Sequence, residues 1–125
     1  LVPEARTTVA RYERARSISR ATAAAHRIPV VYLWQPSRFS RPIVMSEPHH
    51  DTDTENRSRL AEQLRVSLLP KDVVDLTDAL RSSTDPLFTD DVHHNEEGAR
   101  LIAGAMFSKI RTQLELLTAA KGTTR

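Results

Sequence analysis

Two short apolar runs constrain the fold of this chain more than any other feature: residues 30–34 and residues 73–76. Neither run alternates polar with apolar residues, which is typical of strands buried on both faces of a sheet. Between them, Leu60, Leu64 and Leu68 recur at helical spacing and predict an intervening helix. Because strand, helix and strand in this order form a crossover unit, we predict parallel strands in an α/β fold.

Helical spacing predicts three helices, at residues 3–27, at residues 52–69 and from residue 95 onward. Pro29 ends the first, because a proline disfavours helical geometry in the residue before it. Thr52 and Glu55 have the spacing of a capping box at the start of the second, and Pro70 closes it. Asn95 begins the third. The apolar face of that helix consists of Ile102, Met106, Ile110 and Leu114.

Two polar stretches separate these elements. Residues 35–51 contain Pro36, Pro42 and Pro48 without a helical or strand period, and residues 77–94 follow the second strand. We predict that both are irregular loops. Loops of that length often carry functional residues, so both are candidates for a site.

The composition is that of one globular unit. Of 125 residues, 39% are hydrophobic and 27% charged, so residues 1–125 are predicted to form a single domain. The net charge is only +2 and no aromatics interleave with the arginines, so we predict no nucleic-acid partner. Without cysteine there is no disulfide, thiol nucleophile or cysteine-based zinc site. No apolar run approaches the roughly 20 residues of a membrane span, and no sequence feature indicates a localisation.

Two strands are too few to bury each other. A strand that is apolar on both faces needs further strands and covering helices, because each Val or Leu side chain left exposed forfeits roughly 1.5–3 kcal/mol. We therefore expect either a homodimer or a missing N-terminal half that completes the sheet, with this chain as the C-terminal part of a larger domain.

The segment 89–98 carries the clearest chemical pattern. Asp90 lies three residues before His93, immediately ahead of the last amphipathic helix. On a turn, the Asp90 carboxylate can accept a hydrogen bond from Nδ1–H of His93, which leaves Nε2 free to take a proton from a nucleophile. Asp90 and His93 are therefore the candidate catalytic residues, and the alternative for an isolated pair is that Asp90 caps a turn beside an ordinary surface imidazole.

The same block resembles the last motif of the SGNH (GDSL-like) hydrolases, in which Asp-x-x-His is followed by x-Asn-x-x-Gly and an apolar helix. Here the motif falls on Asp90, His93, Asn95 and Gly98, and the helix follows. The two predicted strands look like the penultimate and last strands of that family. The resemblance implies a three-layer α/β/α fold with a flavodoxin-like parallel sheet, of which this chain would be the C-terminal helix-strand-helix-strand-helix portion.

In that family the Asp orients the His, and the His is the general base toward a Ser at the end of the first strand. The resemblance therefore implies an esterase or lipase-like acylhydrolase, with Asp90 and His93 as two members of a Ser-His-Asp triad and no cofactor. Its implied substrate is a small-molecule or glycan acyl ester. The family's Ser and oxyanion blocks have no match here, and the only glycines are Gly98, Gly104 and Gly122. By itself the chain is predicted to be catalytically silent or nearly so.

Two other functions stay open for the same sequence. Acyl transfer to a glycan would use the same motif as hydrolysis, because only the acceptor differs. A non-enzymatic interaction module, pairing through exposed strand edges, belongs to another class of protein. Residues 36–48 either line a substrate entrance or form a solvated excursion, and no substrate-binding residue is assigned.

The remaining polar residues near the motif receive structural roles. His94 and Asp91 flank the pair, and Asn95 is the predicted cap of the last helix. A divalent metal has two candidate clusters: His49, His50, Asp51 and Asp53, or Asp90, Asp91, His93 and His94. Adjacent residues in a loop point in different directions, whereas metal ligands must converge, so we predict no metal site.

Overall fold

The computed structural model describes the backbone of residues 1–122, and all side chains among them except those at 113, 116, 117 and 120–122. Within this range the predicted order of elements is confirmed: α1 (Val2–Ala25), β1 (Tyr32–Trp34), α2 (Thr52–Ser67), β2 (Val73–Asp75) and α3 (Glu96–Gly122). Short 3₁₀ turns interrupt both predicted loops, at Arg38–Ser40 and Thr77–Leu80. The described chain is thus a mixed α/β protein, and none of its helices has the length and apolarity to cross a membrane.

The two strands form a small parallel sheet, as predicted. Its register sets Tyr32 opposite Val73, Leu33 opposite Val74 and Trp34 opposite Asp75. The prediction that β1 is buried on both faces was wrong. All three β1 residues are only half-buried, and Val30, which was expected in the strand, is 41% exposed. In the described part of the chain β1 pairs with β2 alone, so the residues leading into β1 contact solvent.

Successive side chains of β1 pack against different parts of the molecule. Leu33 joins Val74 against the buried core cluster. Trp34 meets the ring of Tyr12 from α1 edge-on, with 5.2 Å between ring centroids. The Tyr12 hydroxyl also donates a hydrogen bond to the Leu33 carbonyl, at 3.4 Å. β1 therefore links α1 to the core.

The core lies under the segment that follows β2. Its buried members are Leu76, Leu80, Leu87, Phe88 and Ile102. Four of these five fall within residues 76–88, most of which was predicted to be a polar loop, so that prediction was wrong. In 3₁₀ and irregular backbone the buried positions follow no fixed period, and periodicity therefore could not detect them.

α1 ends at Ala25, earlier than predicted, and a Schellman motif ends it. The N–H of Arg27 donates to the Ala24 carbonyl at 3.1 Å, and the N–H of Ile28 donates to the Ala23 carbonyl at 2.9 Å. Arg27 has a φ of 55°, in the left-handed region that this motif requires. The chain therefore leaves the helix before Pro29 can break it.

The start of α2 differs from the predicted capping box. Asp51, not Thr52, is the N-cap, and its carboxylate accepts hydrogen bonds from the N–H groups of Asp53 and Thr54, both at 3.1 Å. An aspartate carboxylate also suits the positive end of the helix. Glu55 consequently plays no part in capping, and its side chain is buried inside the protein instead.

The predicted leucine face of α2 is not its buried face. Leu60 is 47% exposed, whereas Ala61 and Glu62 are buried. Glu62 accepts a hydrogen bond from the indole N–H of Trp34 at 3.2 Å. Polar contacts with β1 and with the loop after it therefore set the orientation of α2, and they override the apolar pattern of its sequence.

Candidate active site

Asp90 and His93 meet on the turn before α3, as predicted. The Nδ1 atom of His93 lies 2.7 Å from one carboxylate oxygen of Asp90. The other oxygen accepts the N–H groups of Val92 at 2.9 Å and of His93 at 2.7 Å. The Asp90 side chain thus closes its own turn, which is a common local hydrogen-bonding pattern of Asp. The same carboxylate also holds the imidazole.

The outer side of this pair is open. The side chain of His93 is 76% exposed and that of Asp90 is 54% exposed. Because an ionised carboxylate can only accept, this contact assigns the proton of a neutral His93 imidazole to Nδ1, which leaves a lone pair on Nε2. In the described part of the chain no group is hydrogen-bonded to Nε2, so this atom is free to accept a proton from an incoming hydroxyl.

The turn keeps Asp90 ionised. Its pKa falls from 3.8 to about 2, chiefly because the backbone N–H of His93 donates to it, then because the N–H of Val92 and the imidazole of His93 do so. The carboxylate is therefore negative at any pH near neutrality. It can orient the imidazole and stabilise the imidazolium that proton uptake creates.

Backbone hydrogen bonds close the segment on either side of the turn. Phe88 and His94 form an antiparallel bridge, and the N–H of Thr89 donates to the His93 carbonyl at 2.8 Å. The N–H of Asn95 donates to the Leu87 carbonyl, also at 2.8 Å. Asp90 and His93 therefore lie at the tip of a small hairpin whose base lies in the core.

Asn95 and Gly98 have structural roles in joining this hairpin to α3. The side-chain oxygen of Asn95 accepts the N–H of Gly98 at 3.0 Å, which confirms the predicted cap. Its amide nitrogen donates to the Pro86 carbonyl at 2.7 Å. A Cβ at Gly98 would lie 2.9 Å from Cβ of His94 and 3.0 Å from the Leu87 carbonyl oxygen. Only glycine fits this close approach without a shift of its neighbours.

A buried carboxylate that the sequence did not reveal supports the base of the hairpin. Oε1 of Glu47 accepts the N–H groups of Leu87 at 2.6 Å and of Phe88 at 3.0 Å. It also accepts Nη2 of Arg41 at 3.2 Å, and the same guanidinium nitrogen donates to the Asp85 carbonyl at 2.6 Å. The predicted loop 35–51 is therefore anchored in the interior at this point and is not a solvated excursion.

A second buried pair reaches the tip of the hairpin. Arg38 donates two hydrogen bonds to Glu55, at 2.9 and 3.0 Å, and a third to the Asp91 carboxylate at 2.9 Å. Nε2 of His50 lies 2.9 Å from the same carboxylate. Burial opposes ionisation of Asp91, but the hydrogen bonds from His50 and Arg38 outweigh it and lower the pKa. Asp91 and His50 thus form a second acid-imidazole contact, which sequence reasoning missed.

The other histidines near the motif have separate surroundings. Nδ1 of His49 lies 3.0 Å from the Glu47 carbonyl oxygen. The ring of His94 is tilted against that of Phe88, with 6.4 Å between centroids. Among the described side chains, no three His, Asp or Glu residues converge in a way that could hold a metal ion.

An open groove of about 470 Å³ lies beside the hairpin, at the carboxyl end of β1. Asp91 and Val92 line its hairpin side, and Trp34, Pro36 and Phe39 are among the residues lining the rest. The start of the predicted entrance loop 36–48 thus contributes to this groove. In parallel α/β sheets, ligands bind at the carboxyl ends of the strands, which makes the groove the candidate substrate site.

Comparisons with protein-family models, with curated proteins and with solved structures found no match to this chain. Its interpretation therefore depends on the geometry of the site and on the sequence motif.

The low pKa of Asp90 predicts how this turn responds to acid. Because the folded-state pKa lies below the ordinary value, the stability that Asp90 contributes is complete above about pH 4 and disappears as the pH falls through about 2. Carbon-detected NMR of the Asp90 carboxyl should give a midpoint near 2. In His93→Ala the midpoint should rise but stay below 3.8, because the two backbone donors remain. A midpoint of 3.8 or more in the unmodified chain would contradict the turn geometry.

The buried position of Glu47 predicts a large effect on stability. Glu47→Ala leaves two backbone N–H groups and Arg41 without their acceptor and should lower the free energy of unfolding by about 3–5 kcal/mol. Glu47→Gln keeps one acceptor oxygen and should cost about half as much. The control is Glu115→Ala, which removes an exposed pair with Arg111 and should cost less than about 1 kcal/mol. Urea unfolding measures all three, and equal losses for Glu47→Ala and Glu115→Ala would refute the assignment.

Proposed function

We propose that this chain is the C-terminal segment of an SGNH-type ester hydrolase and supplies the orienting acid and the general base of a Ser-His-Asp triad. One observation carries the proposal: the 2.7 Å contact between Asp90 and Nδ1 of an exposed His93, on a turn whose residues Asp91 and Val92 line a groove. The Asn95 cap and the tight approach at Gly98 give physical reasons for the other two residues of the motif. They therefore support the same interpretation.

The proposed chemistry is acyl transfer through a serine. As a serine Oγ attacks the ester carbonyl, Nε2 of His93 takes its proton, and Asp90 stabilises the resulting imidazolium. The imidazolium then protonates the departing alkoxide when the ester C–O bond breaks. In the second half, His93 takes a proton from the acceptor that attacks the acyl-serine, and returns it to Oγ. Every step requires Asp90 to stay ionised, which its lowered pKa supports.

The serine and the oxyanion donors are proposed to come from another stretch of polypeptide. In the described part of the chain, the hydroxyl of Ser37 is engaged with that of Ser40, and that of Ser83 accepts the N–H of Asp85. None of these reaches Nε2 of His93. The complete domain is proposed to be a three-layer α/β/α sheet that continues beyond β1.

The acceptor of the acyl group is proposed to be water, with a glycan hydroxyl as the alternative. The groove supports a polar substrate in either case, because Gln35, Glu62 and Arg65 line it together with apolar residues. The Nε atom of Arg65 is buried and has no hydrogen-bond partner in the described chain.

Esterase kinetics test the proposal. In the natural polypeptide that includes this segment, p-nitrophenyl acetate turnover should fall by roughly 10³- to 10⁴-fold in His93→Ala and in Asp90→Asn. His26→Ala, which removes an exposed histidine at the end of α1, is the control and should leave the rate unchanged. The isolated 125-residue chain should show no saturable turnover. Undiminished activity in His93→Ala would refute the proposal.

A second candidate function is a non-enzymatic module that pairs through its strand edge. The observation that favours it is the edge of β1 that no strand covers in the described residues, next to Ile28 and Val30, which are exposed. Light scattering after size exclusion should then show a dimer at micromolar concentration. Val30→Lys should convert the dimer to a monomer, whereas Ile18→Lys, an exposed position in mid-α1, should not. A monomer in all three samples would contradict pairing.

A further inference from the structure

The direction of the His93 imidazole depends on the backbone of its turn. Every hydrogen bond to Asp90 comes from within residues 90–93, and the ring of His93 bonds only to Asp90 in the described chain. From outside the turn, only Thr89 bonds to these two residues in the described chain, and it bonds to the His93 carbonyl and not to either side chain. Whatever fixes this turn in the molecule therefore also fixes where Nε2 points.

Asp91 is the residue of the turn that is bonded to other parts of the protein. Its carbonyl accepts the backbone N–H of Arg38 at 3.0 Å. Its carboxylate accepts Nη2 of Arg38 at 2.9 Å and contacts Nε2 of His50 at 2.9 Å. Both the backbone and the side chain of the residue following Asp90 are thus held from outside the turn.

Arg38 is itself held rigidly. Its side chain is only 2% exposed, and its guanidinium forms a two-bond fork with Glu55 of α2. Glu55 accepts a further hydrogen bond from Arg59 at 3.0 Å. Both terminal nitrogens of this planar guanidinium are bonded to Glu55, so the third bond, from Nη2, defines one position for the Asp91 carboxylate.

We propose that Arg38 is a positioning residue for His93, acting through Asp91. The continuous contact from Glu55 through Arg38 to Asp91 ties the turn to α2 and to the loop that leaves β1. It thereby holds the turn that carries the imidazole, whose residues Asp91 and Val92 line the groove. This inference rests on the proposed function only in taking His93 as the base, and its test needs no turnover.

The test measures which nitrogen of His93 carries the proton. In the 125-residue chain with ¹⁵N-labelled histidine at about pH 9, where an ordinary imidazole is neutral, the Asp90 hydrogen bond should favour the Nδ1–H tautomer. Free imidazole side chains prefer Nε2–H, so looser turn geometry shifts the ratio in that direction. In Asp91→Ala the ratio of Nδ1–H to Nε2–H should fall by roughly threefold.

A matched control exists on the other side of the molecule. Like Asp91, Asp72 accepts hydrogen bonds from two side chains, here Arg16 at 2.8 Å and Arg20 at 2.6 Å, and it is similarly exposed. Asp72→Ala therefore removes an equivalent set of contacts without touching the turn. It should leave the tautomer ratio of His93 unchanged. An equal shift in both variants would mean that loss of general stability, not positioning, moves the imidazole, and it would overturn the proposal.

Replacement of the arginine provides the second variant. Arg38→Lys keeps the charge but cannot bond to Glu55 and Asp91 in one plane, so it should shift the ratio in the same direction as Asp91→Ala. The double variant should shift it no further, because both changes remove the same contact. If Arg38→Lys fails to fold, Asp91→Ala decides alone, because Arg38 then keeps Glu55 and no buried charge loses its partner. A wild-type ratio in folded Asp91→Ala would overturn the proposal.

The outcome is separable from that of the esterase assay. A tautomer shift without esterase activity in the natural polypeptide would refute the proposed function and leave the positioning intact. Activity that depends on His93, with no tautomer shift in Asp91→Ala, would refute the positioning and leave the proposed function intact.

Discussion

A buried ion pair between Arg38 and Glu55 is the interaction on which the arrangement of the site depends. Removing both charges from water costs several kcal/mol, and only good geometry with further hydrogen bonds can offset it. Here the fork has two bonds of 2.9 and 3.0 Å, and Asp91 and Arg59 add one bond each, whereas Nε of Arg38 has no partner in the described chain. A pair of this kind contributes less to net stability than to one defined arrangement of the loop after β1, α2 and the turn at Asp90–His93.

Apolar packing and a buried carboxylate together hold the base of the hairpin. Glu47 uses one oxygen to hold two consecutive backbone N–H groups of a segment whose side chains, Leu87 and Phe88, fill the core. The buried side chains hold the segment in the core, and the Glu47 carboxylate binds its backbone. The tip of the hairpin is exposed to solvent, whereas its base is anchored in the core.

The parts of the structure that the sequence predicted are those with a local cause. Asp90 and His93 are three residues apart, and the turn that joins them needs no distant partner. The strands and helices follow from apolar runs and helical spacing. By contrast, Arg38 and Asp91 are 53 positions apart, and Glu47 and Leu87 are 40 apart. A charged residue in a proline-rich loop gives no sign of being buried, so these contacts had no sequence signal. The leucine spacing gave a wrong prediction of the buried face of α2, because Glu55 and Glu62 are buried there instead.

The exposure of His93 has a consequence for how the pair would act in a complete site. Water screens the attraction between opposite charges, and this attraction grows several-fold when a low-dielectric surface replaces the solvent. The Asp90 carboxylate therefore influences its imidazole weakly while the tip of the hairpin stays wet. Any polypeptide that brings a hydroxyl to Nε2 would also displace water from the pair. The approach of the nucleophile would then also strengthen the attraction between Asp90 and His93.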